Sequence, residues 1–128
     1  MTKLDVLKKQ YKKAFGRFEE VLQKEKNDIV RDSAIKRFEF TFDLSWKLIK
    51  AFLEEKKGIV CMSPKDCFRS AFQTGLIDYD DFWLEMTDLR NEIVHAYDEK
   101  LAEKLYEKFH RVLECFKSLG KKIGGVNE

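Results

Sequence analysis

The pattern that most constrains this chain is a step of three or four residues between apolar side chains, repeated in four separate segments. Leu4, Leu7, Tyr11, Phe15, Phe18 and Leu22 form the first stripe, and Ile35, Phe38, Phe42, Ile49 and Leu53, widened by Trp46, form the second. Phe82, Met86, Leu89 and Ile93 form the third, and Leu101, Leu105, Phe109, Val112, Phe116 and Leu119 the fourth. A step of that size follows the 3.6-residue period of the α-helix and leaves the opposite face charged. With six glycines and one proline in 128 residues, little in the chain interrupts such helices. No alternation of the kind strands need competes with them, so the chain reads as all-α.

The ends of the helices carry their own signals. The first helix runs from about residue 4 to 25 and gives way at Lys26-Asn27-Asp28; the second stops at Gly58. Ser63-Pro64-Lys65-Asp66 combines a serine N-cap, a proline at the first helical position and an acid at the third, which opens a short third helix ending at Gly75. A fourth begins near Asp78, and a fifth follows Asp98-Glu99, a plausible N-cap. At about 1.5 Å per residue the first, second and fifth helices span roughly 33 to 38 Å. Matched lengths and short connections predict an up-and-down four-helix bundle, with the short helix inserted between the second and fourth. One domain over residues 1–119 and a frayed tail over 120–128 complete the expectation.

Composition narrows the function. Twenty-five basic residues against 23 acidic give a net charge of +2, so any contact with nucleic acid has to be local. One such place is the first 17 residues, where Lys3, Lys8, Lys9, Lys12, Lys13 and Arg17 face a single acid, Asp5. They could meet a phosphate backbone or form a solvated helix face. Cys61, Cys67 and Cys115 are odd in number and lack a Cys-x-x-Cys pair, which speaks against a disulfide framework or zinc cluster and for a reducing cytoplasm. No apolar run approaches a membrane span, and the start lacks the apolar core of a signal peptide.

Chemistry is concentrated in Arg90-Asn91-Glu92-Ile93-Val94-His95-Ala96-Tyr97. Arginine supplies a permanent planar cation suited to phosphate, histidine moves protons near neutral pH, and a phenol can accept a transferred group. At about 100° per residue, however, Arg90 and Tyr97 share a stripe while His95 lies about 140° from Arg90, so one regular helix does not bring them together. Convergence requires a helix that loosens after Val94 or a second copy across a two-fold axis. Spacing alone favours an ordinary helix end, with His95 capping, Arg90 paired to an acid and Tyr97 in the core. Glu39, Asp43 and Lys47, successive i,i+4 neighbours, read as a solvated salt-bridge ladder. Asp78-Tyr79-Asp80 has the spacing of a magnesium pair but reads as a helix start, since no phosphate loop or strand accompanies it. Neither metal nor cofactor is expected.

Two segments, Arg37 to Leu48 and Ser63-Pro64-Lys65-Asp66-Cys67-Phe68-Arg69-Ser70-Ala71-Phe72-Gln73-Thr74-Gly75-Leu76-Ile77-Asp78, closely resemble the nucleotidyltransferase substrate-binding protein family. The likeness continues through Trp83, Met86, Asp88 and Arg90 to His95-Ala96-Tyr97-Asp98-Glu99. That family belongs to the HEPN group of helical proteins, and Arg90-x4-His95-x-Tyr97 looks like the signature of HepT toxins. The resemblance implies a metal-independent endoribonuclease in a toxin-antitoxin pair, with two copies of the motif meeting in a dimer cleft. It implies His95 as general acid or base, Arg90 as stabiliser of phosphate charge and Asn91 as the residue orienting phosphate or His95. Tyr97 matches a tyrosine adenylylated by a minimal nucleotidyltransferase encoded nearby, which gives a homodimer or a heterotetramer. The alternative it implies is a non-catalytic subunit presenting a substrate to that transferase.

Overall fold

The computed structural model describes residues 1–123 and contains six α-helices: α1 (Lys3–Leu22), α2 (Asp28–Lys57), α3 (Pro64–Gln73), α4 (Phe82–Glu92), α5 (Glu99–Glu107) and α6 (Phe109–Ile123). Caps set the boundaries. Thr2 and Asp5 close a capping box on α1, and Asn27 accepts a hydrogen bond from the Val30 N–H at the start of α2. Gly58 ends α2 with φ 66°, a left-handed conformation that glycine adopts without a Cβ penalty. Ser63 caps α3 as expected, accepting from the Asp66 N–H, while the Asp66 carboxylate turns one residue further back and accepts from the Met62 N–H.

The helices alternate in direction. Phe18 meets Phe38, and Leu4 and Leu7 share a groove wall with Ala51 and Glu54, so α1 and α2 run antiparallel. The Arg111 guanidinium of α6 lies over the Phe82 ring at the start of α4, and Glu85, further along α4, pairs with Lys108 just before α6, which sets α4 against α6 in the same way. The expected up-and-down bundle is therefore present, with α3 inserted between α2 and α4. Where one fifth helix was expected there are two, because the chain breaks at Lys108. α2 is the hub and touches all five other helices.

The core is aromatic. Phe38 lies 5.1 Å from Phe109 between ring centroids and Phe18 lies 5.4 Å from Phe109, while Phe42, Phe68 and Trp83 carry the contacts toward α3 and α4. Offset and edge-on pairs of this kind contribute about 0.5–1.5 kcal/mol each beyond the area they bury. Tyr11 is buried with them and donates to the Phe116 carbonyl at 2.6 Å, which satisfies its hydroxyl. Burial pushes the Cys115 thiol up to about 12, as befits an unreactive core position.

Three expectations change. First, α4 begins at Phe82, where the Asp80 carboxylate accepts from the Phe82 N–H, so residues 78–81 are non-helical. Second, α6 continues to Ile123 because Gly120 and Ile123 are buried and extend its apolar stripe; the remainder of the expected tail, 124–128, lies outside the described residues. Third, Cys61 and Cys67 form a disulfide with Cα atoms 5.1 Å apart. Counting cysteines missed this pair because Cys61 lies in the loop before α3 and Cys67 on its first turns, and the Ser63 cap and the Met62 N–H bond to Asp66 hold that loop at the helix start. Such a bond is uncommon in a reducing compartment. No helix among the described residues is long and apolar enough to cross a membrane.

Candidate functional site

α4 ends without glycine or proline. Its last turn tightens into a 3-10 turn over Ile93–His95, and the Ala96 N–H donates to the Ile93 carbonyl at 2.9 Å. Asp98 then restarts the helix, its Oδ1 accepting from the Lys100 N–H at 2.9 Å and the Leu101 N–H at 3.3 Å. Half-buried Ile93 and Ala96 anchor the junction, while His95 and Tyr97 project outward. A departure from regular α-helix was expected after Val94; it is present, but as a tightened 3-10 turn that starts two residues earlier, after Glu92.

This turn places the His95 and Tyr97 rings edge to face with centroids 6.2 Å apart. Tyr97 is 83% exposed, which overturns the core position that spacing favoured. The His95 side chain has no hydrogen bond among the described residues, so it caps nothing there. Asn91 is exposed on the final turn of α4.

Arg90 is held from the side by α2. Its Nε donates to Asp43 Oδ1 at 3.0 Å, its Nη2 to Asp43 Oδ2 at 3.3 Å, and Nη2 lies 3.2 Å from Glu39 Oε2. The hydrogen bond to Asp43 is the main reason its pKa lies above the ordinary arginine value. The paired acid of the ordinary-helix-end reading is therefore real. Yet Nη1 has no partner among the described residues, and the side chain remains 26% exposed. Glu39 and Asp43 do not form a self-contained ladder with Lys47: they converge on Arg90, and Lys47 has no ion pair among the described residues. Their i,i+4 spacing was visible in sequence, but the cation they serve lies 47 residues beyond Asp43.

Arg31 carried no sequence signal at all. Its Nη1 donates to Glu99 at 2.7 Å and Glu103 at 3.0 Å, its Nε and Nη2 to Asp32 at 3.1 and 3.0 Å, and Asp28 stands at 3.7 Å. Lys26 adds a further pair to Glu103. These contacts tie the first turn of α5 to α2 immediately after Asp98, so the segment carrying His95 and Tyr97 is fixed at both ends.

Asp80, in the candidate magnesium pair, accepts from Arg111 at 2.6 Å and from the backbone of Phe82, while Tyr79 donates to Asp81. It is a helix start. Among the described residues no group of three or more His, Cys, Asp or Glu side chains is placed to hold a metal ion.

Residues 8–124 match the family described as nucleotidyltransferase substrate binding protein like. The chain belongs to that family. It is also similar to a Haemophilus influenzae protein named probable ribonuclease HepT, 35% identical over 86 residues that make up 61% of this chain and 59% of the relative. The chain thus spans about three fifths of the length of the curated relative it matches. Among solved structures, a protein from Thermus thermophilus superposes with a TM-score of 0.84 at 32% identity, over 88% of this chain and 98% of that one. A Haemophilus influenzae structure described as revealing the fold of a substrate-binding domain of a nucleotidyltransferase superposes at 0.79 and 26% identity, over 94% and 98%.

Proposed function

We propose that this family member is the ribonuclease half of a pair with a minimal nucleotidyltransferase, a toxin that its partner silences. The observation that carries the reading is Arg90: a guanidinium oriented by Asp43 and Glu39, with Nη1 unengaged among the described residues, on the same short segment as exposed His95 and Tyr97. A pre-oriented cation that retains a free edge suits an anion arriving from solvent. The relative named probable ribonuclease HepT supports the same reading.

In the proposed reaction the RNA 2′-oxygen bonds to the adjacent phosphorus as the bond from phosphorus to the 5′-oxygen breaks. His95 accepts the 2′-hydroxyl proton, and a second His95, from another copy of the chain, returns a proton to the leaving oxygen. Arg90 neutralises charge on the pentacoordinate phosphate, and Asn91 orients it. What supports a second copy is the separation of Arg90, turned toward α2, from His95, which points away from the bundle; a two-fold arrangement would bridge it. A homodimer, or a heterotetramer with the transferase, provides it.

Silencing would occur at Tyr97. Its phenolic oxygen attacks the α-phosphorus of ATP on the transferase, forming a tyrosyl-AMP ester and releasing pyrophosphate. Bulk and negative charge then stand beside the His95 ring, 6.2 Å from the tyrosine ring, where RNA phosphate would otherwise lie. Incubation with the transferase and ATP, followed by intact mass and RNA cleavage, tests this: one AMP gained and cleavage lost is expected, and Tyr97→Phe should cleave but resist silencing. If AMP is never gained and the unmodified protein leaves RNA intact, the second reading stands. That reading, a non-catalytic subunit presenting substrate to a transferase, is favoured by the description of the Haemophilus structural relative.

A further inference from the structure

A groove of about 690 Å³ runs between α1 and α2, and its lining is rich in cations. On α1, Gln10, Lys13, Ala14 and Arg17 follow one helical face; on α2, Lys36, Arg37, Phe40, Leu44 and Lys47 follow another. Five cations there meet one lining carboxylate, Asp43, which is already committed to Arg90; beside the groove, Lys36 also pairs with Glu39 Oε1 at 3.2 Å. A second groove of similar size, about 670 Å³, sets Lys3, Lys47 and Lys50 against Glu54 and Glu55 and has no comparable excess. The modest net charge of the chain thus conceals one concentrated basic trough.

The trough has a floor and a platform. Arg37 is fixed at its base by donating to the Arg17 carbonyl at 2.8 Å, with Glu20 only at 4.0 Å. Lys13, Arg17 and Lys47 have no ion pair among the described residues. Phe40 stands 53% exposed, with the Lys36 ammonium 5.1 Å from its ring centroid. An exposed ring among cations offers an unpaired base a stacking face and its phosphates a counter-charge, which is how proteins hold single strands without reading their sequence. From Ser33 to Lys47 the track covers about 21 Å at 1.5 Å per residue, and it meets the proposed catalytic segment at Asp43.

We propose that the α1–α2 groove binds single-stranded RNA and feeds it to Arg90. The substrate class rests on the ribonuclease reading above, but the groove can be tested apart from cleavage. Fluorescence anisotropy with a short labelled 2′-O-methyl oligouridine, which lacks the attacking hydroxyl, reads binding alone. Relative to wild type, the Arg17→Ala/Lys36→Ala double variant should bind about tenfold or more weakly, and the slope of log affinity against log salt should shrink by about 1.4, or 0.7 per cation. Phe40→Ala should weaken binding about tenfold and leave the salt slope unchanged. Lys3→Ala/Lys50→Ala, in the other groove, should stay within about twofold of wild type. Binding through the groove without cleavage of the matching RNA would retain this site and sink the ribonuclease reading. Groove variants that bind like wild type, or a wild type that ignores the oligonucleotide while the groove variants lose the transferase, would overturn the proposal.

Discussion

Arg31 and Arg90 are both helical arginines held by carboxylates from another part of the bundle, but one is closed and the other open. All three nitrogens of the Arg31 guanidinium are engaged, by Asp32, Glu99 and Glu103, and its side chain is 3% exposed. The acids that cover it lie on the surface, so Arg31 is sealed by its partners rather than sunk in the core. Arg90 has two acids, commits only two of its nitrogens to them, and is 26% exposed. A saturated arginine joins helices, whereas an unsaturated one that is still oriented retains capacity for a ligand.

Truncating each arginine in turn should therefore give opposite consequences. Arg90→Ala should lower RNA cleavage by about 10²–10³, as the loss of an oriented charge donor does, while shifting stability by no more than about 1 kcal/mol. Cleavage rates and thermal melts measured on the same preparation decide it. Arg31→Ala should do the reverse: the loss of charge-assisted bonds costs about 2–3 kcal/mol, a fall in Tm of roughly 10 °C, with cleavage by the folded protein reduced less than tenfold. If the two variants behaved alike, the distinction between anchor and site would fail.

Asp43→Asn probes the open arginine more finely. It keeps the shape but weakens the charge that orients Arg90, so kcat should fall about tenfold with KM nearly unchanged, and Asp43→Glu should recover part of the loss. The smallest effect is a pH dependence at the closed arginine. Lys26 and Arg31 hold the Glu103 carboxyl below its ordinary value of 4.5. Its contribution is therefore complete above about pH 4.5 and is lost as pH falls through the depressed folded value. Melts across the acid range should show a shallower decline in Glu103→Gln than in wild type.

The helices, their alternating order and the caps at Ser63, Asp98 and Gly58 were legible because they depend on local information, whereas the Thr2 and Asn27 caps were not read from sequence. The break at Lys108 was not, since the apolar stripe runs through it without interruption. At the site, Asp98 announced where the helix would yield, but spacing put Tyr97 in the core, and only the tightened turn at Ile93–His95 turns it outward. What sequence could not supply was pairing across distance. Asp43 and Arg90 stand 47 residues apart, Arg31 and Glu103 72 apart, and no periodicity connects them. The groove cations illustrate the same limit, because Lys13 and Arg17 were visible as a basic run while Lys36, Arg37 and Lys47 join them only once α1 and α2 pack.

If His95, supported by Arg90, cleaves RNA without a metal, then digestion in excess chelator with wild-type protein and His95→Ala side by side, followed by identification of the new ends, will reveal it. Wild type should leave 2′,3′-cyclic phosphate and 5′-hydroxyl ends, and the variant should leave the RNA intact. Equal cleavage by His95→Ala, or none by the unmodified wild type, would refute the proposed role.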